Sequence, residues 1–254
     1  MSGKKKVHDE EAPLWSHFME LRKRLVICAA AVAVLSFGAY FFRISLMNFF
    51  IHPLFVAMQQ TTATNRLIYT GVAEGFVISF KVSLLSGFIL SLPIIGYHLY
   101  RFIVPALFPH ERRALLGFVL GAPVLFLIGC AFAYFIVLPL SYVFFLEYQT
   151  MDTLLPIQLE AKVSEYISLT LHLLAGFGLA FEMPLVLLLL GKAGMITSQT
   201  LITHRRMMIV VIFIVAAVLT PPDVISQVAL AVPLLLLYEL SIFLLKRREK
   251  LCMI

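Results

Sequence analysis

An all-α membrane protein is predicted, with six transmembrane helices in a concave bundle, both termini in the cytoplasm, and helices 5 and 6 forming a short hairpin. Three features predict it. Apolar residues make up 61% of the 254 positions and charged residues only 13%, with a mean hydropathy of +0.97, whereas soluble domains average about 45–50% and about 25%. The apolar residues are gathered into six windows separated by polar breaks. The 20 Lys and Arg are distributed unevenly between alternate breaks.

The windows are 25–42, 75–104, 114–146, 164–190, 207–219 and 224–245, and together they read as one transmembrane domain over 1–254. A helix rises about 1.5 Å per residue and a bilayer core is about 30 Å thick. The third window is longer than this requires, so tilting, or a kink near Pro139, is expected. The fifth is too short. It and the sixth, joined by Thr220-Pro221-Pro222-Asp223, read as a shallow hairpin. Two longer outer loops, Arg43 to Glu74 and Glu147 to Val163, complete the chain. Sixteen Lys and Arg fall in the termini and in the loops after the second and fourth windows, three fall on the opposite side, and Lys81 lies within a window. By the positive-inside rule both termini are cytoplasmic.

These features narrow the chemistry. No length remains for an extramembrane catalytic domain, and the net charge of +6 follows from topology, so nucleic acid is not an expected partner. Cys28, Cys130 and Cys252 lack metal-ligand spacing, and His110-Glu111 lacks the second histidine of an HExxH site, so neither a metal nor a cofactor is expected. The N-terminus carries acids and a proline before its first apolar window, which reads as a retained anchor.

Three carboxylates stand out. Glu20 lies in the amphipathic lead Trp15 to Leu25, with Ser16 as a candidate cap and Arg24 at i,i+4. Glu111 lies in the connector Phe102 to Arg113, where Pro105 and Pro109 restrict the backbone. Two carboxylates at one membrane depth can accept guanidinium groups in bidentate fashion, which lysine cannot imitate. The alternatives are an ordinary helix pair for Glu20 and a local counter-charge to Arg112 and Arg113 for Glu111. Glu182 lies mid-window, where an acid costs about 2.5–3.5 kcal/mol, so it is expected to face the bundle interior or a wet cavity. A structural hydrogen bond to a neighbouring helix, the backbone freed at Pro184 included, is the alternative. Lys81 is read as snorkelling and Glu239 as a near-interface partner of Lys246.

Five strings occur in order: HFMELRKRL, FIVPALFPHERR, AFAYFIVLPL, FGLAFEMP and LTPPDVISQ. Together they resemble TatC, the multispanning subunit of the twin-arginine protein translocase, over about Trp15 to Leu245. The outer loop Met151 to Glu165 departs from that pattern. The resemblance implies a receptor for folded precursors whose signal peptide carries two consecutive arginines. Glu20 and Glu111 would bind the arginine pair, and Phe102, Leu107, Arg22 and Arg113 would shape the docking surface. It further implies that Glu182, Thr220 and Gln227 meet the single-span partners TatA and TatB, and that Pro53 and Asp223 serve assembly and transport. Transport would draw on the proton motive force across a bacterial cytoplasmic (inner) membrane, from a homo-oligomer within a TatB–TatC complex. A proton-coupled solute carrier built around Glu182 would call for repeated halves, and an intramembrane enzyme for a nucleophile and base; neither is evident.

Overall fold

The structure is a computed structural model and describes residues 14–59, 66–103, 109–147, 161–220 and 223–252. The elements in chain order are α1 (Leu14–Phe41), α2 (Arg43–Gln59), β1 (Leu67–Ile68), α3 (Glu74–Ile103), α4 (Pro109–Phe132), a π-helical segment (Ala133–Val137), α5 (Leu138–Glu147), β2 (Ala161–Lys162), α6 (Val163–Phe181), α7 (Met183–Lys192), α8 (Ser198–Thr203), α9 (Arg205–Leu219) and α10 (Val224–Cys252). The protein is an all-α membrane protein; its two strands are two residues each, paired in parallel as Leu67 with Ala161 and Ile68 with Lys162.

Among the described residues five stretches are long and apolar enough to cross a bilayer: Phe18–Phe41, Glu74–Phe102, Gly117–Glu147, Val163–Lys192 and Val224–Lys250. They correspond to five of the six windows, and the first, fourth and last run beyond the window because charged residues continue the helical hydrogen bonding past the apolar core. Ser16 lies inside α1 and does not cap it. The fifth window becomes α9, whose 15 residues extend about 22 Å. The first outer loop is largely helical: α2 begins one residue after α1 ends, and its backbone continues the chain through Phe42 N–H to Ala39 O (2.9 Å) and Leu46 N–H to Phe42 O (3.0 Å).

Close helix approach is set by small residues, as expected where lipid offers no hydrophobic drive between helices. A Cβ on Gly87 of α3 would lie 2.4 Å from the Ser36 backbone nitrogen of α1. A Cβ on Gly129 of α4 would lie 2.5 Å from the Phe177 carbonyl of α6, and one on Gly178 would lie 2.6 Å from the Phe126 ring. Around this second crossing sits the core, including the fully buried Val137, Leu138, Ile167, Leu173, Phe177 and Leu230.

Prolines interrupt this framework, and neighbouring groups repair it. Pro53 inside α2 has no N–H for the carbonyl of Phe49, four residues earlier. Tyr134 donates its hydroxyl to that carbonyl (2.8 Å) with its ring stacked on Phe49, and Tyr166 donates to the next carbonyl, Phe50 (2.5 Å). Upstream of Pro139 the helix widens into the π segment, where Leu138 N–H reaches back five residues to Ala133 O. The expected kink near Pro139 therefore takes the form of a π-bulge.

The outer connections are tied by Glu74. Its carboxylate accepts from Thr70 N–H (2.6 Å), Gly71 N–H (3.0 Å) and Ser164 N–H (3.1 Å), joining the start of α3 to the first turn of α6 beside the β1–β2 pair. On the opposite side α7 ends in a Schellman-type turn through Gly194 (φ 73°), with Met195 N–H bonded to Leu190 O (3.0 Å).

Tyr134→Phe should leave the Phe49 carbonyl without its donor and cost about 1–3 kcal/mol, seen as a lower thermal midpoint of the detergent-solubilised protein. Pro53→Ala restores the intrahelical N–H. The double variant should therefore lose less than the sum of the two single changes in a double-mutant cycle.

Candidate functional site

Residues 19–27 of α1 run alongside the last two turns of α3, and between them lies a cavity of about 490 Å³. It is walled by Glu20, Lys23, Arg24 and Ile27 of α1 and by His98 and Arg101 of α3. Glu20 is paired with Arg24 as the i,i+4 spacing predicts, through Arg24 Nε (3.0 Å) and Nη2. Arg24 also donates from Nη1 to the His98 carbonyl (3.4 Å), which links α1 to α3. The Arg24 side chain is only 15% exposed against 38% for Glu20, so the carboxylate is the reachable half of the pair. Arg22 faces solvent on the same turn.

Arg101 and the half-buried Phe102 end α3, and α4 begins six residues later at Pro109. Glu111 is thus the third residue of α4. It does not lie in a loop: proline suits the first turn of a helix, and α4 starts there. The backbone brings Glu111 and Arg113 to the same end of the bundle as Glu20. Their side chains, and all of Leu107 and Pro105, lie outside the described residues. His98 escaped the sequence reading. Its Nδ1 is buried without a hydrogen-bond partner, and its place three residues before Arg101 is the signal that could have found it.

Glu182 is not in mid-helix. It forms the break between α6 and α7, because Pro184 cannot donate to the Ala180 carbonyl and the chain turns instead, with Glu182 N–H bonded to Leu179 O (3.1 Å). The side chain is half-buried, beside the backbone of Phe126 on α4.

The α9–α10 turn concentrates polar groups in apolar surroundings. Asp223 is buried and caps α10: its Oδ2 accepts from Ser226 N–H (2.7 Å) and from the Ser226 hydroxyl (2.5 Å). Its Oδ1 is buried with no partner. Ser226 continues to Ser141 on α5 (2.7 Å). Thr220 is buried and bonds Ala216 O (2.8 Å), while Gln227 Nε2 donates across the hairpin to Phe213 O (3.3 Å). Pro53 is buried on α2.

Glu239 does not pair with Lys246. Its partner is Arg205 at the start of α9 (2.7 Å), brought near because the hairpin returns α10 alongside α9. Lys81 is exposed, as snorkelling requires, and its ammonium reaches the Ser168 hydroxyl (3.2 Å). Among the described residues no cluster of His, Cys, Asp or Glu could hold a metal ion.

The family model for the Sec-independent protein translocase protein TatC matches residues 16–233. The chain belongs to the TatC family. It is 43% identical over 232 residues to the Sec-independent protein translocase protein TatC of Aquifex aeolicus, covering 91% of this chain and 94% of that one. The TatC proteins of Rickettsia prowazekii and Escherichia coli are 38% and 35% identical over 228 and 235 residues, covering 90% and 92% of this chain and 90% and 88% of theirs. Two crystal structures of the twin arginine translocase receptor TatC superpose with TM-scores of 0.75 and 0.77 at 43% and 42% identity, covering 91% and 90% of this chain and 98% and 99% of theirs. TatC is a membrane-transport family and not an enzyme family, so the chain is a core subunit of a protein translocase.

The Asp223 cap holds the first turn of α10. Asp223→Asn keeps an oxygen for Ser226 N–H, whereas Asp223→Ala removes the cap at a cost of about 0.5–2 kcal/mol. Asparagine should therefore preserve more of the thermal stability in detergent than alanine does; equal losses would show that the cap is not what Asp223 contributes.

Proposed function

We propose that this TatC is the signal-receptor subunit of a twin-arginine translocase, binding the arginine pair of folded precursors through Glu20 and Glu111. The observation that carries this reading is the half-exposed Glu20 carboxylate in the 490 Å³ cavity, at the end of the bundle where α4 begins with Glu111 as its third residue. Guanidinium groups are costly to bury in a bilayer without partners. Two carboxylates at the membrane surface supply such partners while the apolar part of a signal helix remains in the lipid. Phe102, Leu107, Arg22 and Arg113 border the docking surface.

The rest of the assignment follows the family. The chain forms one transmembrane domain with six crossings, α9 being the short fifth, and both termini lie in the cytoplasm. It works in the bacterial cytoplasmic membrane as a homo-oligomer within a TatB–TatC complex, and the proton motive force drives transport. Glu182, Thr220 and Gln227 meet the single-span TatA and TatB helices. Pro53 and Asp223 serve assembly by holding the outer end of the bundle in shape, Pro53 through the Phe49 carbonyl it leaves for Tyr134, Asp223 through its cap on α10. The Tyr134 bond to Phe49 and the Asp223 bond to Ser226 support that role.

Glu20→Ala and Glu111→Ala should each weaken binding of an Arg-Arg signal peptide about 10- to 100-fold, as loss of one partner in a charge-assisted pair costs about 1–3 kcal/mol. Lysine at both positions should be worse through repulsion. Photocrosslinking from positions 20 and 111 checks this: crosslinks should form with an Arg-Arg peptide and fade with Lys-Lys. A protein that treats both peptides alike, with its partner subunits present, sinks the receptor assignment.

For Glu182, glutamine should support transport better than alanine, since the amide retains hydrogen bonding. Equal loss in a precursor export assay would assign the role to ionisation itself.

A further inference from the structure

A second cavity lies within the apolar span, bounded by α4, α7 and α10. Its volume is about 550 Å³, within the ~300–1,000 Å³ range of ligand clefts. Its walls include Gly117, Gly121 and Leu125 of α4, Pro184 and Leu188 of α7, and Leu240 of α10. Two glycines one turn apart on α4 create much of the space. A Cβ on Gly117 would meet nothing within 4 Å, and one on Gly121 only Leu185 at 3.5 Å. The cavity is therefore a gap in side-chain packing, not a tight helix crossing like that at Gly129.

The ends of the two remaining walls carry charge. Phe181 at the end of α6 lines the cavity, as do Leu185 and Leu188 of α7 at helical spacing, and Lys192 continues the α7 stripe one turn further. On α10, Leu237, Leu240 and Leu244 line it, and Arg247 and Arg248 continue that stripe in the same way. A deep apolar slot thus opens, at one end of the bundle, beside three cations. This is the polarity of a lipid with an anionic headgroup: the chain satisfies the slot and the phosphate the basic rim. An apolar partner helix would fill the slot but would bring no anion to Arg247 and Arg248.

We propose that this cavity holds an acyl chain of an anionic phospholipid, with the phosphate bound by Arg247 and Arg248. The site is separate from the Glu20 cavity and does not depend on the receptor reading. The test is native mass spectrometry of the detergent-purified chain with added phosphatidylglycerol or phosphatidylcholine. Retention of phosphatidylglycerol should exceed that of phosphatidylcholine about tenfold, since each basic residue near an anionic headgroup contributes appreciably. Arg247→Gln with Arg248→Gln should erase the preference. Gly117→Leu, which fills open space, should lower retention of both lipids, and Leu240→Trp provides a second filling variant should the first fail to purify. Equal retention of the two lipids by the unaltered chain overturns the proposal, as does unchanged retention in the filled variants. A crosslink from Leu240→Cys to another protein's helix, in place of lipid, in native membranes also overturns it.

Discussion

Backbone hydrogen bonding in a medium without water is the constraint on which the rest of this structure depends. Inside lipid every carbonyl and N–H must find a partner in the protein, yet this chain places prolines within its helices at positions 53, 93, 123 and 233, beside others at 139 and 184. Each one removes a donor. The repairs differ, and each repair makes a feature of the fold: tyrosine hydroxyls from α6 and the π segment pin α2 to the bundle at Pro53, a π-bulge precedes Pro139, and at Pro184 the helix breaks and brings Glu182 into the bend. Glu182 is thus placed where helical continuity fails.

The two ends of the bundle are built differently. At the outer end, carboxylates are consumed by structure: Glu74 joins three backbone donors from two segments, and Asp223 caps α10 while its neighbour Ser226 reaches α5. At the other end, Glu249 of α10 accepts from the backbone N–H of Ser198 at the start of α8, and Tyr238 donates to Leu201 O, so the last helix holds the preceding connection in place. Glu20 pairs with Arg24 one turn along its own helix, and an i,i+4 pair of this kind contributes only tenths of a kcal/mol.

The polar and the apolar cavities are kept in separate places. The Glu20 cavity lies at the helix ends between α1 and α3, while the larger slot between α4, α7 and α10 has apolar walls. Gly129 and Gly178 hold the α4–α6 crossing tight.

Hydropathy and charge asymmetry in the sequence already determined the membrane class, five long spans, the short α9, the Glu20–Arg24 pair and the family strings, because each depends on residues close together in the chain. The distortion near Pro139 was legible for the same reason. Tertiary structure alone decided the remainder. That Pro53 would be answered by Tyr134, that Glu239 would turn to Arg205 and not Lys246, that His98 would enter the Glu20 cavity, and that Glu74 would cap a helix ninety residues later all depend on which helices become neighbours. Periodicity shows which face of a helix is apolar. It does not show which helix that face meets, and in lipid, where all faces are apolar alike, small-residue contacts and unpaired backbone groups make that choice.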